Sequence, residues 1–341
     1  MGNPYWVSHF FLIKKKLKLM NISIKQVLVK PEVSTFIMFI VIMVGFYFAN
    51  PRFLDERNIR IVMGITPEYI IVAIGIAILM ISGEFDLSVG SVFALVPMAI
   101  VQLTHQGFNI WLSIALGLSI GIIIGFINGF ITLRFGIPSF IATLGMLYIA
   151  RSLTTVATGG FPPPFPHELP NELFVYQFEL FRASLYWSLL VAVILGILLH
   201  RSNLGNWIYA TGGDVIAASS MGIKTNNIKM FCFILCGFLA GFAGMIQTFR
   251  LEAPLPSQGY LLELESIAAA VIGGVSLFGG IGTVIGAMIG AILIRFLESG
   301  IIMARIDAEW FRAGLGTLII LSVVFNTYIS RRATQIGIKN N

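Results

Sequence analysis

Charge is scarce in this chain. Asp, Glu, Lys and Arg together make up 11% of its 341 residues, where a soluble domain carries about 25%. So few charges cannot cover a water-facing surface. A composition that is 57% hydrophobic also excludes intrinsic disorder. There is no Gly-X-Y period and no sustained charged heptad, which removes collagen and coiled coil. Cysteine is nearly absent too. Cys232 and Cys236, four apart in one apolar segment, share a helix face and read as small packing residues. They offer neither a disulfide framework nor a metal-ligand spacing. What is present is length of apolar run. Segments 110–131, 184–199, 231–247 and 313–328 are almost free of charge. A lipid-spanning strand needs only about 10 alternating residues and a helix about 20 apolar ones, so the runs predict helices rather than a barrel.

The expected fold is therefore all-α, a polytopic membrane protein with about ten transmembrane helices. The spans read as 33–49, 59–82, 88–104, 110–131, 138–157, 184–199, 229–247, 265–277, 283–302 and 313–328. An even number puts both termini on one side. The basic residues Lys14, Lys15, Lys16, Lys18, Lys25 and Lys30, with Arg134, Arg201, Lys224, Lys229, Arg331, Arg332 and Lys339, then fall inside. Asp55, Glu56, Glu168, Glu172, Glu179, Glu252, Glu263, Asp307 and Glu309 fall outside. That distribution obeys the positive-inside rule and makes both termini cytoplasmic. The net charge of +6 is read as basic cytoplasmic loops beside an anionic leaflet, not as a nucleic-acid surface. The chain divides into a basic cytoplasmic segment 1–32, a transmembrane domain 33–330 and a cytoplasmic tail 331–341. The domain contains an external loop 159–183, stiffened by Pro162, Pro163, Pro164 and Pro166, and a cytoplasmic loop 200–228.

Polar groups at membrane depth are costly and ask for a reason. Glu68 follows Pro67 inside the second span, where the proline is expected to break the helix. Gly83-Glu84-Phe85-Asp86-Leu87-Ser88-Val89-Gly90-Ser91 separates two spans, with Asp86 or Ser88 placed to cap the helix after it. In the cytoplasmic loop, Asp214 is placed as N-cap and Gly222 as C-terminal stop of a two-turn helix whose surface is small: Ala217, Ala218, Ser219 and Ser220. Gly117, Gly121, Gly125 and Gly129 repeat every four residues, as do Gly282, Gly286 and Gly290. Each set makes a smooth stripe, for static packing or for sliding. Stripes in both halves of the chain suggest an internal repeat. A phosphate-binding GxxxxGK[ST] loop and HExxH are missing from the sequence, and His9, His105, His167 and His200 lie apart.

Four stretches in order resemble the permease subunits of bacterial carbohydrate-uptake ABC transporters of the ribose, xylose and galactose type. They are 83–91; Pro138-Ser139-Phe140-Ile141-Ala142-Thr143-Leu144-Gly145-Met146 followed by Arg151; 209–223; and 265–282. Glu84-Phe85 stands where the family more often has Gly-Ile, and Glu265 where Asp is common. The resemblance implies a bacterial inner-membrane subunit that is no enzyme itself and holds no cofactor. ATP and Mg would sit on a separate cytoplasmic ATPase. The other implied partners are a second permease subunit, alike or related, an external solute-binding protein and a small polar solute; nucleic acid is not among them. Gly212, Gly213, Asp214, Ala217, Ala218, Met221 and Gly222 would then form the coupling helix region that docks on the ATPase. Glu68, Phe85, Asp86, Ser88, Phe140, Thr143, Glu265 and Ser266 are candidates for the translocation path. The competing reading is an ion-gradient-driven secondary transporter with Glu68, Glu84 or Asp86 as its coupling site.

Overall fold

A computed structural model describes residues 31–338 apart from His167, Leu180 and Ala308, with side chains described for 35–324. The lysines before Glu32, His9, His167 and Lys339 lie outside the described residues, as do the side chains of Arg331 and Arg332. The helices are α1 (Pro31–Ala49), α2 (Glu56–Ile81), α3 (Val89–His105), α4 (Ile110–Phe135), α5 (Ser139–Thr158), α6 (Asn171–Val175) and α7 (Ala183–Arg201). They continue with α8 (Asn203–Gly213), α9 (Val215–Ser220), α10 (Thr225–Leu251), α11 (Leu262–Ile272), α12 (Val284–Met303) and α13 (Trp310–Ile338). A 3-10 turn, Pro51–Leu54, joins α1 to α2. Among the described residues no strand forms beyond one isolated bridge between Gln177 and Arg182.

Each expected apolar segment contains a helix, and α2, α4, α5, α7, α10 and α12 are long and apolar enough to cross a bilayer. The segment 265–277 differs from expectation. Its helix, α11, has 11 residues, about 16 Å at 1.5 Å per residue. The apolar core of a bilayer is about 30 Å thick. Gly273 ends the helix and Gly274 turns with φ +88, a conformation that glycine alone adopts cheaply.

The helix around Glu68 also differs. α2 runs unbroken through Pro67. In an apolar setting a break would strand further backbone groups, so one missing N–H is the smaller loss. In the same turn the Thr66 hydroxyl donates to the Val62 carbonyl at 2.6 Å.

α2, α10 and α12 form the buried centre, with Ile70 to Ile81 of α2 almost wholly enclosed. The first glycine stripe is packing. A Cβ at Gly121 would lie 2.6 Å from the Gly237 carbonyl oxygen, and one at Gly125 2.4 Å from that of Phe233. α4 and α10 therefore touch backbone to backbone, as small-residue faces allow. Cys232 and Cys236 are buried on the same helix, as packing residues are. The second stripe presses α12 on α11: a Cβ at Gly290 would meet the Ala269 carbonyl oxygen at 2.1 Å. The described part of loop 159–183 packs on the bundle. Phe174 stacks on Trp187 with ring centroids 5.5 Å apart, and Phe165 meets Phe249 edge-on.

Candidate functional site: two interrupted crossings and a glycine junction

Residues 82–88 form a non-helical segment that climbs α5. The Phe85 N–H donates to Ser139 Oγ at 3.1 Å and the Leu87 N–H to Thr143 Oγ1 at 3.0 Å. The Ser91 hydroxyl donates to the Leu147 carbonyl at 2.8 Å, and Arg151 donates to the Gly90 carbonyl at 2.9 Å. Ser139, Thr143, Leu147 and Arg151 are spaced four apart, so these contacts ascend one α5 face over about 18 Å. α3 thus begins well inside the bundle. Its start is held by Asp86, whose Oδ1 accepts the Ser88 N–H at 2.7 Å and the Ser88 hydroxyl at 2.6 Å. Its Oδ2 accepts Asn128 Nδ2 at 3.2 Å. Asp86 supplies the cap to this turn; the Ser88 side chain makes no cap bond of its own.

The chain after α10 makes a matching excursion. Residues 252–261 return from the end of α10 into the bundle. Arg151 pins them by donating to the carbonyls of Pro256 at 2.9 Å and Gln258 at 2.8 Å. Gln258 Nε2 donates to the Phe93 carbonyl at 2.9 Å. Gly259 lies on Gly90, where a Cβ on Gly259 would stand 2.3 Å from the Gly90 oxygen. Glu263, expected in an external loop, is instead buried against Gly90 in the first turn of α3. A carboxylate there meets the free N–H groups and positive end of that helix. α3 and α11 therefore begin side by side and run in opposite directions.

The remaining candidates occupy separate places. Glu68 is fully buried and accepts Arg250 Nε at 2.7 Å. Glu265 shares Arg295 with Glu298, and the Arg295 guanidinium lies 3.8 Å over the Tyr69 ring. Ser266 is buried next to that cluster, its hydroxyl unpartnered. Glu84 pairs with Lys229 at 2.6 Å. Phe140 alone of the eight path candidates is exposed, at 54%. The structure thus brings Phe85, Asp86, Ser88 and Thr143 together, and leaves Glu68, Phe140 and the Glu265–Ser266 pair elsewhere. Asn128, Arg151, Gln258, Glu263 and Arg295 were missed by sequence reasoning. A basic residue or amide inside an apolar run was the available signal for Asn128, Arg151 and Arg295.

In the loop 200–228 two helices form where one was expected. α8 is capped by Ser202, which accepts the Gly205 N–H at 3.2 Å. α9 is capped by Asp214, which accepts the N–H groups of Ile216 and Ala217, both at 2.9 Å. Gly222, at φ +86, ends it. Ala218 does not belong to its outward face: it is 2% exposed, because it turns toward the bundle. The outward face is Ile216 and Met221, 80% and 82% exposed, with Ala217. Just before α9 three chain segments meet. The Gly280 N–H donates to the Ile81 carbonyl at 2.9 Å. A Cβ at Gly212 would stand 1.8 Å from that same oxygen, and one at Gly279 2.6 Å from the Gly212 oxygen. The Tyr209 hydroxyl donates to the Gly282 carbonyl at 2.7 Å. Only glycine fits such an approach.

An all-helical bundle of apolar helices with two non-helical segments meeting inside it, and a capped apolar helix beside it, has the build of a transport subunit. Residues 58–323 match the family described as branched-chain amino acid transport system / permease component, and the chain belongs to that family. It is 31% identical to the xylose/arabinose import permease protein of Sulfolobus acidocaldarius over 328 residues, 92% of this chain and 90% of the relative. It is 32% identical to the ribose import permease protein of Haemophilus influenzae over 305 residues, covering 88% and 94%. Identity to the autoinducer 2 import system permease protein of Yersinia enterocolitica is 34% over 257 residues, covering 74% and 71%. No solved structure matches the chain at a comparable level. The protein is a permease subunit of an ABC importer and a multi-pass inner-membrane protein. The secondary-transporter reading finds no support among these relatives.

Proposed function

We propose that this subunit forms half of the path by which a monosaccharide or related polar solute is imported, driven by ATP hydrolysis on separate cytoplasmic subunits. The carrying observation is the capped helix α9, with Ile216 and Met221 bare on its outer face and Gly212 locked against Ile81 and the Gly279–Gly280 turn beside it. An apolar pair on a capped helix suits a groove on a partner protein. That partner is the ATPase, which also holds the ATP and Mg. Closure of the ATPases pushes α9, and the junction passes the push along 82–88 to α3 and along 276–283 to α12.

In this reading both termini are cytoplasmic, segment 1–32 and tail 331–341 lie there too, and the domain 33–330 spans the membrane. Loop 159–183 receives the solute-binding protein outside. The α2–α3 and α10–α11 units form an inverted pair, each a full helix followed by a non-helical segment and a shorter helix, of 17 residues in α3 and 11 in α11. A second permease, a copy or a relative, packs across from α5, the most exposed of the long apolar helices. Its open stripe of Phe140, Gly145, Tyr148, Ser152 and Thr155 pairs aromatic rings with hydroxyls, which suits a sugar. Asp86, Ser88 and Thr143 act behind that face by fixing backbone, while at other depths Glu68 and Glu265 are taken up by Arg250 and Arg295, with Ser266 beside the second pair. The solute class rests on the relatives, whose names cover pentoses and a signalling molecule.

The test is uptake into proteoliposomes holding the permease, its ATPase and its binding protein. Uptake that needs ATP and stops with vanadate is expected. Uptake that follows a proton or sodium gradient without any ATPase contradicts the reading.

A further inference from the structure

At the end of α2 and α12 opposite the glycine junction, the 3-10 turn and the first turns of α2 enclose an open cavity of about 480 Å³ with α12. Its rim carries Arg52 and Arg57. Its walls are Ile61 and Ile65, one turn apart on α2, facing Ile302 and Met303 on the last turn of α12. Its floor is Arg295 with Glu298. The nearby arginines Arg60, Arg250, Arg295 and Arg312 each hold a carboxylate. Arg52 and Arg57 are exposed and pair with none among the described residues, Asp55 beside them included. Arg295 is 4% exposed, and its Nε has no hydrogen-bond partner.

Charge and shape together select a class of ligand. Arg295 is spent on Glu265 and Glu298, so the unpaired charges that line the cavity are Arg52 and Arg57 against Asp55, a surplus of one positive charge. A phosphodiester carries one negative charge, and guanidinium groups match its oxygens in pairs. The apolar walls have no use for a free anion but suit an acyl or isoprenoid chain. Ile61 and Ile302 are both more than half exposed, so the walls open toward the surrounding lipid. We infer that this cavity binds the headgroup and upper chain of a monoanionic phospholipid, with Arg52 and Arg57 on the phosphate. Such a lipid would brace the α1–α2 corner against α12, and through Arg295 it would touch the α11 cluster.

Native mass spectrometry of the full permease in mild detergent tests this, with phosphatidylglycerol, phosphatidylcholine and glycerol 3-phosphate as probes. Phosphatidylglycerol is expected to be retained over phosphatidylcholine. Its affinity should fall roughly tenfold in the Arg52→Gln/Arg57→Gln double variant and stay unchanged in Arg312→Gln. Both rim side chains are exposed, so the double variant should melt at the same temperature without lipid. Equal retention of phosphatidylglycerol by the double variant overturns the site. Displacement of phosphatidylglycerol by glycerol 3-phosphate at equal concentration overturns the lipid assignment in favour of a free phosphate monoester. A double variant that loses its oligomeric state instead marks the cavity as a protein interface and overturns the inference as well.

Discussion

The two interrupted crossings solve one problem with different chemistry. The backbone of the segment before α3 is held by short neutral groups, Ser139, Thr143, Ser88 and Asn128, around the carboxylate of Asp86, with Glu84–Lys229 as an added ion pair. The segment before α11 is held by long side chains: Arg151 reaches in from α5 to the carbonyls of Pro256 and Gln258, and the segment's own Gln258 reaches out to the carbonyl of Phe93. An extended backbone in a bundle of this kind has no water to satisfy it, so each route needs donors or acceptors supplied from neighbours. The first route lies flush along α5 and can use short ones. The second is tied to α5 by the guanidinium of Arg151. Polar residues at membrane depth, which invite assignment to a solute path, are here largely taken up with backbone.

The sharpest way to break that comparison is Arg151→Ala. It leaves three carbonyls without their donor, and at about 1–3 kcal/mol for each unsatisfied group the loss should exceed ~3 kcal/mol. Thermal melting in detergent should show a large drop, only partly recovered by Arg151→Lys. Asp86→Asn keeps the shape but weakens charge-assisted bonds. It should cost about 1–3 kcal/mol in the same assay, with little change in the solute concentration for half-maximal uptake. A shifted half-maximal concentration with unchanged melting would put Asp86 on the path instead. Lys229→Met strands Glu84, a carboxylate 13% exposed, and should cost about 1–2 kcal/mol, between an exposed and a buried pair. Adding Glu84→Gln should return most of that. Thr143→Val removes one acceptor from the first route only, and about 1 kcal/mol or less is expected.

Much of this fold is legible in hydropathy alone. Apolar runs locate the helices because lipid demands about 20 such residues per crossing. Local signals also carry the ends of α9, since Asp214 and Gly222 act through neighbours two or three residues away. What hydropathy hides is pairing across the chain. Glu84 with Lys229, Glu68 with Arg250 and Gly90 with Gly259 join residues 145, 182 and 169 positions apart. For that reason Glu263 reads as a loop residue and 265–277 as a full span, although α11 is half of one. Ala218 reads as surface because composition cannot tell which face of a two-turn helix meets the bundle. Pro67 reads as a break because the sequence does not show that the bundle encloses it.

The central claim is that α9 delivers the ATPase stroke through its bare face. Met221→Glu, at an exposed position, should leave melting and membrane insertion as they are. Measured with the ATPase and binding protein in proteoliposomes, it should cut solute moved per ATP hydrolysed by about tenfold or more, as loss of an interface anchor does. Uptake and coupling unchanged in Met221→Glu, and equally in Ile216→Glu, would contradict the account.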